Sequence, residues 1–150
     1  MSDEKRPSEE AQCPAERAAQ ALVENDKTAQ SLGIRLEEVR PGYARMTMQV
    51  RADMLNGHHM CHGGMVFTLA DTAFAYSCNS HNDNTVAAAA SIDFLAAAHE
   101  GDELTAVATE LWRSRRNGIY EITVTNQRNE RIALFRGRSY RIDGQLVSAD

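Results

Sequence analysis

The sequence predicts an α+β domain in which one curved antiparallel sheet wraps around a single long central helix. Three observations carry that expectation. Residues 63–79, GGMVFTLADTAFAYSCN, are apolar on nearly every side of a helix, which marks a helix buried all round and not one lying on a surface. Extended runs flank it, two before and three after, and an antiparallel sheet of that extent buries such a helix by curling around it. The chain has 150 residues, 43% of them apolar, which suits one domain with one core.

Taken in order, residues 1–12 hold too few apolar groups to offset their ordering entropy, so a disordered lead is expected ahead of a single domain over 13–150. Pro14 suits a first helical turn, and Ala15, Ala18, Ala19, Leu22 and Val23 recur at helical spacing up to Gly33, a stop signal. From Ile34 to Val50 two extended runs meet at Pro41-Gly42, and Ala44, Met46, Met48 and Val50 alternate with Tyr43, Arg45, Thr47 and Gln49. That is a hairpin. A loop rich in His, Asn and Gly leads into the central helix, where Thr68, Asp71 and Thr72 form a narrow polar stripe that also takes in Ala75. The later runs cover about 85–96, 103–116 and 118–142, the last split at Asn129-Glu130. Asn117-Gly118 reads as a two-residue hairpin turn, with Tyr120, Ile122 and Val124 on one strand face. LTAVATELW and RIALFRGRSY are apolar on one face, and the second carries several arginines, so partner subunits are expected over part of the sheet.

Composition removes several function classes. A net charge of −5 argues against nonspecific nucleic-acid binding. No apolar run approaches the roughly 20 residues of a membrane span, and the opening MSDEKRPSEE is the opposite of a greasy signal sequence. A cytoplasmic location without membrane contact is expected. Cys13, Cys61 and Cys78 are odd in number and show no CxxC spacing, which fits a reducing compartment.

The chemistry is concentrated in NGHHMCHGGMVFTLAD, residues 56–71. Gly63 and Gly64 stand where the loop meets the helix, and the first N–H groups of a helix lack partners within it. They are either a tight turn before the helix or a cradle for an oxyanion, since glycine admits a carbonyl close to the backbone and the positive end of the helix dipole favours developing negative charge. Asp71 is the second element. A carboxylate in an apolar helix is costly unless hydrogen-bonded, paired or put to use, so it either caps a neighbouring loop or does chemistry. Eight residues along one helix amount to roughly 12 Å, too far for Gly63 and Asp71 to act on one carbonyl carbon within a chain. They meet only if two copies of the helix lie antiparallel about a two-fold axis, which gives two equivalent sites.

Asn56, followed by HGGMVFTLAD, the strand SIDFLAAA, the strand DELTAVA and the closing ALFRGRSY, resembles the hotdog-fold acyl-CoA thioesterases, particularly the PaaI type of phenylacetate degradation, over roughly residues 30–143. The resemblance implies a hotdog fold and hydrolysis of an aryl-acyl thioester such as phenylacetyl-CoA or hydroxyphenylacetyl-CoA. It also implies a homodimer with sites at the interface, usually doubled to a tetramer, and no metal or cofactor, coenzyme A being part of substrate and product. It assigns Asp71 as nucleophile or general base, the Gly63 amide as oxyanion donor, Asn56 to the attacking water or the acyl group, and His62 to orienting the thioester. Relatives often carry a Ser or Thr helper near the acid, whereas this chain offers Ala75 and Ala87 to Ala90, leaving Thr72 as the substitute. Gly64, Thr72, Phe74 and Ala75 are candidates for substrate contact, with Phe74, Tyr76 and Cys78 divided between acyl pocket and core.

Other residues invite different readings. Arg113, Arg115 and Arg116 either bind the coenzyme A phosphates, since guanidinium forks match phosphate geometry, or form a solvated hairpin tip. His58, His59, Cys61 and His62 crowd one loop without the usual zinc spacing, so no metal site is expected. Asp93 reads as a polar contact at a strand end. Asp53 and His58 stand five apart, as in enoyl-CoA hydratase loops, but Leu55 and Asn56 replace the Asn and Pro expected there. A noncatalytic acyl-CoA-binding protein is the third alternative, and it would lack the acid that Asp71 supplies.

Overall fold

The computed structural model describes residues 9–148. Helix α1 (Glu9–Asn25) and helix α2 (Lys27–Leu32) meet at Asp26, where the sequence predicts one helix. Asp26 Oδ1 accepts the Ala29 N–H at 3.0 Å, an N-cap that starts a fresh helix. Gly33, at φ 68°, ends it as expected. Helix α1 begins at Glu9, so Pro14 lies inside it and not in its first turn. The predicted disordered lead falls on residues 1–8, outside the described residues, and on the start of α1. Helix α1 packs on the rest of the domain through Ala15, Ala18 and Ala19, which are buried.

Strands β1 (Arg35–Arg40) and β2 (Tyr43–Gln49) form the predicted hairpin, with Gly42 at φ 74° in the turn. Helix α3 (Gly63–Cys78) is followed by β3 (Asp83–Phe94), β4 (Glu103–Arg113), β5 (Asn117–Thr125) and β6 (Arg131–Gln145). The sheet runs β1-β2-β4-β5-β6-β3 with every neighbouring pair antiparallel. Helix α3 touches all six strands, so the sheet curls around it, giving the hotdog architecture. Leu69, Ala70 and Ala73 are fully buried beneath the strands. Phe74 stacks on Tyr120 and Phe135, with ring centroids 5.5 and 5.9 Å away. Its ring occupies the space that a Cβ at Gly137 would need, 2.7 Å from that position.

Asn117-Gly118 is not the turn. The turn residues are Ser114 to Asn117, with the Ser114 N–H donating to the Asn117 carbonyl at 2.7 Å, and Gly118 pairs with Arg113 inside the ladder. Gly118 is required for closeness, since a Cβ there would sit 2.7 Å from the Tyr120 ring and 2.8 Å from Ser139 Oγ. The Asn129 break between β5 and β6 is as predicted, with Asn129 at φ 59°.

Among the described residues strand β3 is an edge that pairs only with β6, and Val86 and Ala87 to Ala90 along it are exposed. Five consecutive apolar residues, Val86 to Ala90, lie on this edge with no charge or proline among them, and such a stretch is a template for pairing with another chain.

A polar cluster closes the barrel beyond the C-terminal end of α3. Glu110 Oε1 accepts the Tyr120 hydroxyl at 2.8 Å and lies 2.9 Å from His81 Nε2. The hydrogen bond from His81, and then that from Tyr120, hold the Glu110 carboxyl below its ordinary value despite burial. A depressed carboxylate contributes stability above its unfolded pKa and loses it as pH falls through the folded value. Glu110→Ala should therefore cost about 1–3 kcal/mol at pH 7, the range for a buried hydroxyl left unpaired. The gap between variant and parent in chemical denaturation should narrow as the pH falls below the ordinary carboxylate range.

Candidate active site

The loop before α3 is tied down by its own polar groups. Asn56 Oδ1 accepts the N–H groups of His58 and Met60 at 2.9 and 3.2 Å, while the Asn56 N–H donates to the Met60 carbonyl at 2.7 Å. A Leu55–Cys61 bridge closes the loop, and His59 takes up a φ of 60° at its tip. The Cys61 N–H donates to Ala98 O and the His62 N–H to Met54 O, both at 2.8 Å. These bonds fix the direction in which α3 starts.

His62 caps the helix, and its Nδ1 accepts the Gly64 N–H at 2.9 Å. An accepting Nδ1 places the ring proton on Nε2. The His62 carbonyl accepts the Met65 and Val66 N–H groups at 2.9 and 3.3 Å. That leaves one of the first four amides, Gly63 N–H, with no partner among the described residues. The two-glycine cradle is thus corrected. Gly64 is consumed by the cap, its own Cβ position lying 3.1 Å from His62 Nδ1, and Gly63 alone can donate to an oxyanion. The side-chain nitrogen of Asn56 is likewise unpartnered among the described residues, so the residue can hold its loop and still present a donor.

Gly63 borders a cleft of about 380 Å3 lined by Asn56, Val66, Phe94, Leu95 and Ile132 among others. Phe94 was not singled out as a site residue by the sequence, where it reads as one strand position in SIDFL. Its only signal is a large aromatic ring before a run of alanines.

Asp71 is half-buried on the face of α3 that also presents Gly64, Thr68 and Ala75, and its carboxylate makes no hydrogen bond or ion pair among the described residues. The capping role open to it in the sequence is absent. Burial, and secondarily the Asp26 carboxylate, push its pKa above the ordinary value. Thr72 gives little help, because its hydroxyl donates to the Thr68 carbonyl at 2.6 Å and the residue is 8% exposed. Phe74 is 1% exposed and belongs to the core, which removes it from substrate contact within this chain.

The arginines lie elsewhere. Arg113, Arg115 and Arg116 ring a small pit with Cys78, Asp83 and Arg141 at the C-terminal end of α3, roughly 22 Å along the helix from Gly63. Arg113 faces Glu110 and Asp83 at 3.7 and 3.9 Å, and Arg116 faces Asp143 at 3.8 Å. Asp93 lines a hollow on the outer face of the sheet with Ser91, Glu121 and Arg136. Asp53 is exposed and bonded to Arg51 at 3.0 and 3.2 Å, which holds its carboxyl below the usual value and makes it a weak base. His58 is exposed near the loop tip, and no hydrogen bond or ion pair among the described residues joins it to Asp53. Among the described residues no three metal-ligating side chains cluster, and no helix is long and apolar enough to cross a membrane.

A family model described as the thioesterase superfamily matches residues 58–133. The acyl-coenzyme A thioesterase PaaI of Escherichia coli strain K12 is 49% identical over 129 residues, which span 86% of this chain and 92% of that protein. The solved structure of the E. coli PaaI protein from the phenylacetic acid degradation operon matches with a TM-score of 0.89 at 47% identity, over 90% of this chain and 98% of that one. A hypothetical thioesterase of Streptococcus pneumoniae TIGR4, solved with coenzyme A, matches with a TM-score of 0.77 at 25% identity, over 83% and 98% of the two chains.

Proposed function

The chain belongs to the thioesterase superfamily, and from that premise we propose that it hydrolyses phenylacetyl-CoA or hydroxyphenylacetyl-CoA to the free acid and coenzyme A. The observation that carries this reading is a Gly63 N–H at the start of α3 and, two turns further on, the Asp71 carboxylate, both without a partner among the described residues. About 12 Å of helix separates them, so neither completes a site in its own chain. A two-fold axis that joins two β3 edges and lays one α3 antiparallel to its copy brings Gly63 of each chain opposite Asp71 of the other. The exposed apolar edge of β3 supports that axis.

In this arrangement the thioester oxygen points at the Gly63 N–H, where the helix dipole and a fixed donor favour the oxyanion. Asp71 then acts in one of two ways. It attacks the carbonyl carbon, the C–S bond breaks, coenzyme A leaves as thiolate, and water cleaves the resulting mixed anhydride. Otherwise it takes the proton of a water that attacks instead. A thiolate leaves without strong protonation, so the scheme needs no powerful general acid. His62, with its proton on Nε2, and the Asn56 amide supply donors for orienting the thioester or the water.

The test is a panel of acyl-CoA esters with released thiol followed by a chromogenic reagent. Thiol release from the aryl-acyl esters at enzyme-limited rates is the expected result. Release no faster than the uncatalysed background across the panel would refute the proposal.

A further inference from the structure

The ring of Phe94 lies directly against Gly63. A Cβ at residue 63 would sit 3.0 Å from Phe94 Cζ and 3.3 Å from Cε1, closer than an ordinary van der Waals contact allows. Glycine at 63 is therefore matched to this ring as well as to an approaching carbonyl. Yet Phe94 is 55% exposed, the highest value among the large apolar side chains left outside the core. Its position in the strand sharpens the point. Phe94 pairs with buried Ala133 and so faces α3, on the same side as Ile92, Ala90 and Ala87. Bulk returns to this face only at Ile92 and Phe94, where β3 reaches the cleft beside Gly63.

We propose that Phe94 is a specificity-determining residue, its ring forming the wall on which the apolar acyl group of the thioester packs while the carbonyl rests on the Gly63 amide. This rests on the assignment of Gly63 as the oxyanion donor. Three facts commit the cleft to the acyl group and not to another part of the substrate. The ring touches the residue that holds the carbonyl, and the acyl chain begins one bond from that carbonyl. The neighbouring walls are Leu95, Val66 and Ile132, with no charged side chain among the cleft residues to meet a phosphate. The volume of about 380 Å3 falls in the range of small-ligand sites. An aromatic wall favours an aromatic acyl group through offset or edge-to-face contact. By covering one side of Gly63 it also keeps water from the amide and strengthens its bond to the oxyanion.

The experiment compares Phe94→Ala and Phe94→Leu with the parent on phenylacetyl-CoA and acetyl-CoA. It also measures binding of two nonhydrolysable thioethers of coenzyme A, one bearing a phenethyl and one a methyl group. Phe94→Ala should lower kcat/KM for the phenylacetyl ester about 10- to 100-fold, mainly through KM, and that for the acetyl ester by no more than about threefold, as expected when a hydrophobic pocket loses a ring. The phenethyl thioether should weaken in parallel, while the methyl thioether holds its affinity. Phe94→Leu, which keeps apolar bulk and spares the fold, should fall between. Equal proportional losses on both esters, or no loss on either, would overturn the proposal. If the parent binds the thioethers with this discrimination but cleaves neither ester, the failure lies with the hydrolase reading and not with the role of Phe94.

Discussion

Asp71→Asn is expected to lower kcat for phenylacetyl-CoA by at least about 100-fold with little change in KM, the scale for removing a nucleophile or general base. The amide fills the same space but neither attacks a carbonyl nor takes a proton from water. Because no partner among the described residues holds the carboxylate, little else should be lost. Burial, and then Asp26, raise the Asp71 pKa, and the reaction needs the carboxylate form. The rate should therefore fall on the acid side at a pH above the range of an ordinary carboxylate, and a profile of kcat against pH checks this. The same shift has a consequence for stability. A group whose folded pKa is raised favours folding when protonated and opposes it when ionised, so at neutral pH the half-buried charge is a liability. Asp71→Asn should melt at a higher temperature than the parent at pH 7, and the difference should shrink as the pH falls through the raised value. A variant that keeps its rate would remove Asp71 from the chemistry.

Gly63→Pro is the second large effect, because it removes the amide donor and sets a ring where the carbonyl would approach, while the local backbone accepts it. Residue 63 is the first residue of α3, where proline is tolerated because its missing N–H would have no helical partner. His62 sits at φ −60° and ψ 134°, the extended conformation that a following proline demands. The substitution thus deletes the Gly63 amide, which has no partner among the described residues, while leaving the helix start in place, and the Phe94 ring has to yield by a few tenths of an ångström. Loss of one oxyanion donor costs about 100- to 1,000-fold in kcat. The expected outcome is that loss together with an unchanged far-ultraviolet circular dichroism spectrum. A rate within a few-fold of the parent would mean that the Gly63 amide does not bind the oxyanion.

What could be read in the sequence was whatever depends on periodicity. The central helix, the Pro41-Gly42 hairpin and the break at Asn129 follow from patterns of apolar residues and turn chemistry, and the structure has them at those places. What escaped depends on three-dimensional contact. Asn117-Gly118 carries a turn signature, yet its glycine is there because Tyr120 and Ser139 leave no room for a side chain. Asp26 looks like one polar residue in a helical stretch, but its carboxylate accepts the Ala29 N–H and caps a new helix that starts at Lys27. Phe74 falls near the polar stripe in sequence, and the rotation of the helix turns it into the core against Tyr120 and Phe135. At the site itself the sequence pointed to Gly63 and Asp71 together. It could not show that His62 withdraws the Gly64 amide, because that depends on a side-chain rotamer.

The central claim is that one site is built from Gly63 of one chain and Asp71 of its copy. Mixing two crippled variants tests it most directly. Asp71→Asn and Gly63→Pro, unfolded together in equal amounts and refolded, should form mixed dimers in which one site has both lesions and the other has none. With random pairing, half the dimers are mixed and half of their sites are intact, so about a quarter of the parental activity should return. If each site instead lay within a single chain, no mixed dimer would hold an intact one, and activity no greater than the sum of the two variants alone would contradict the account.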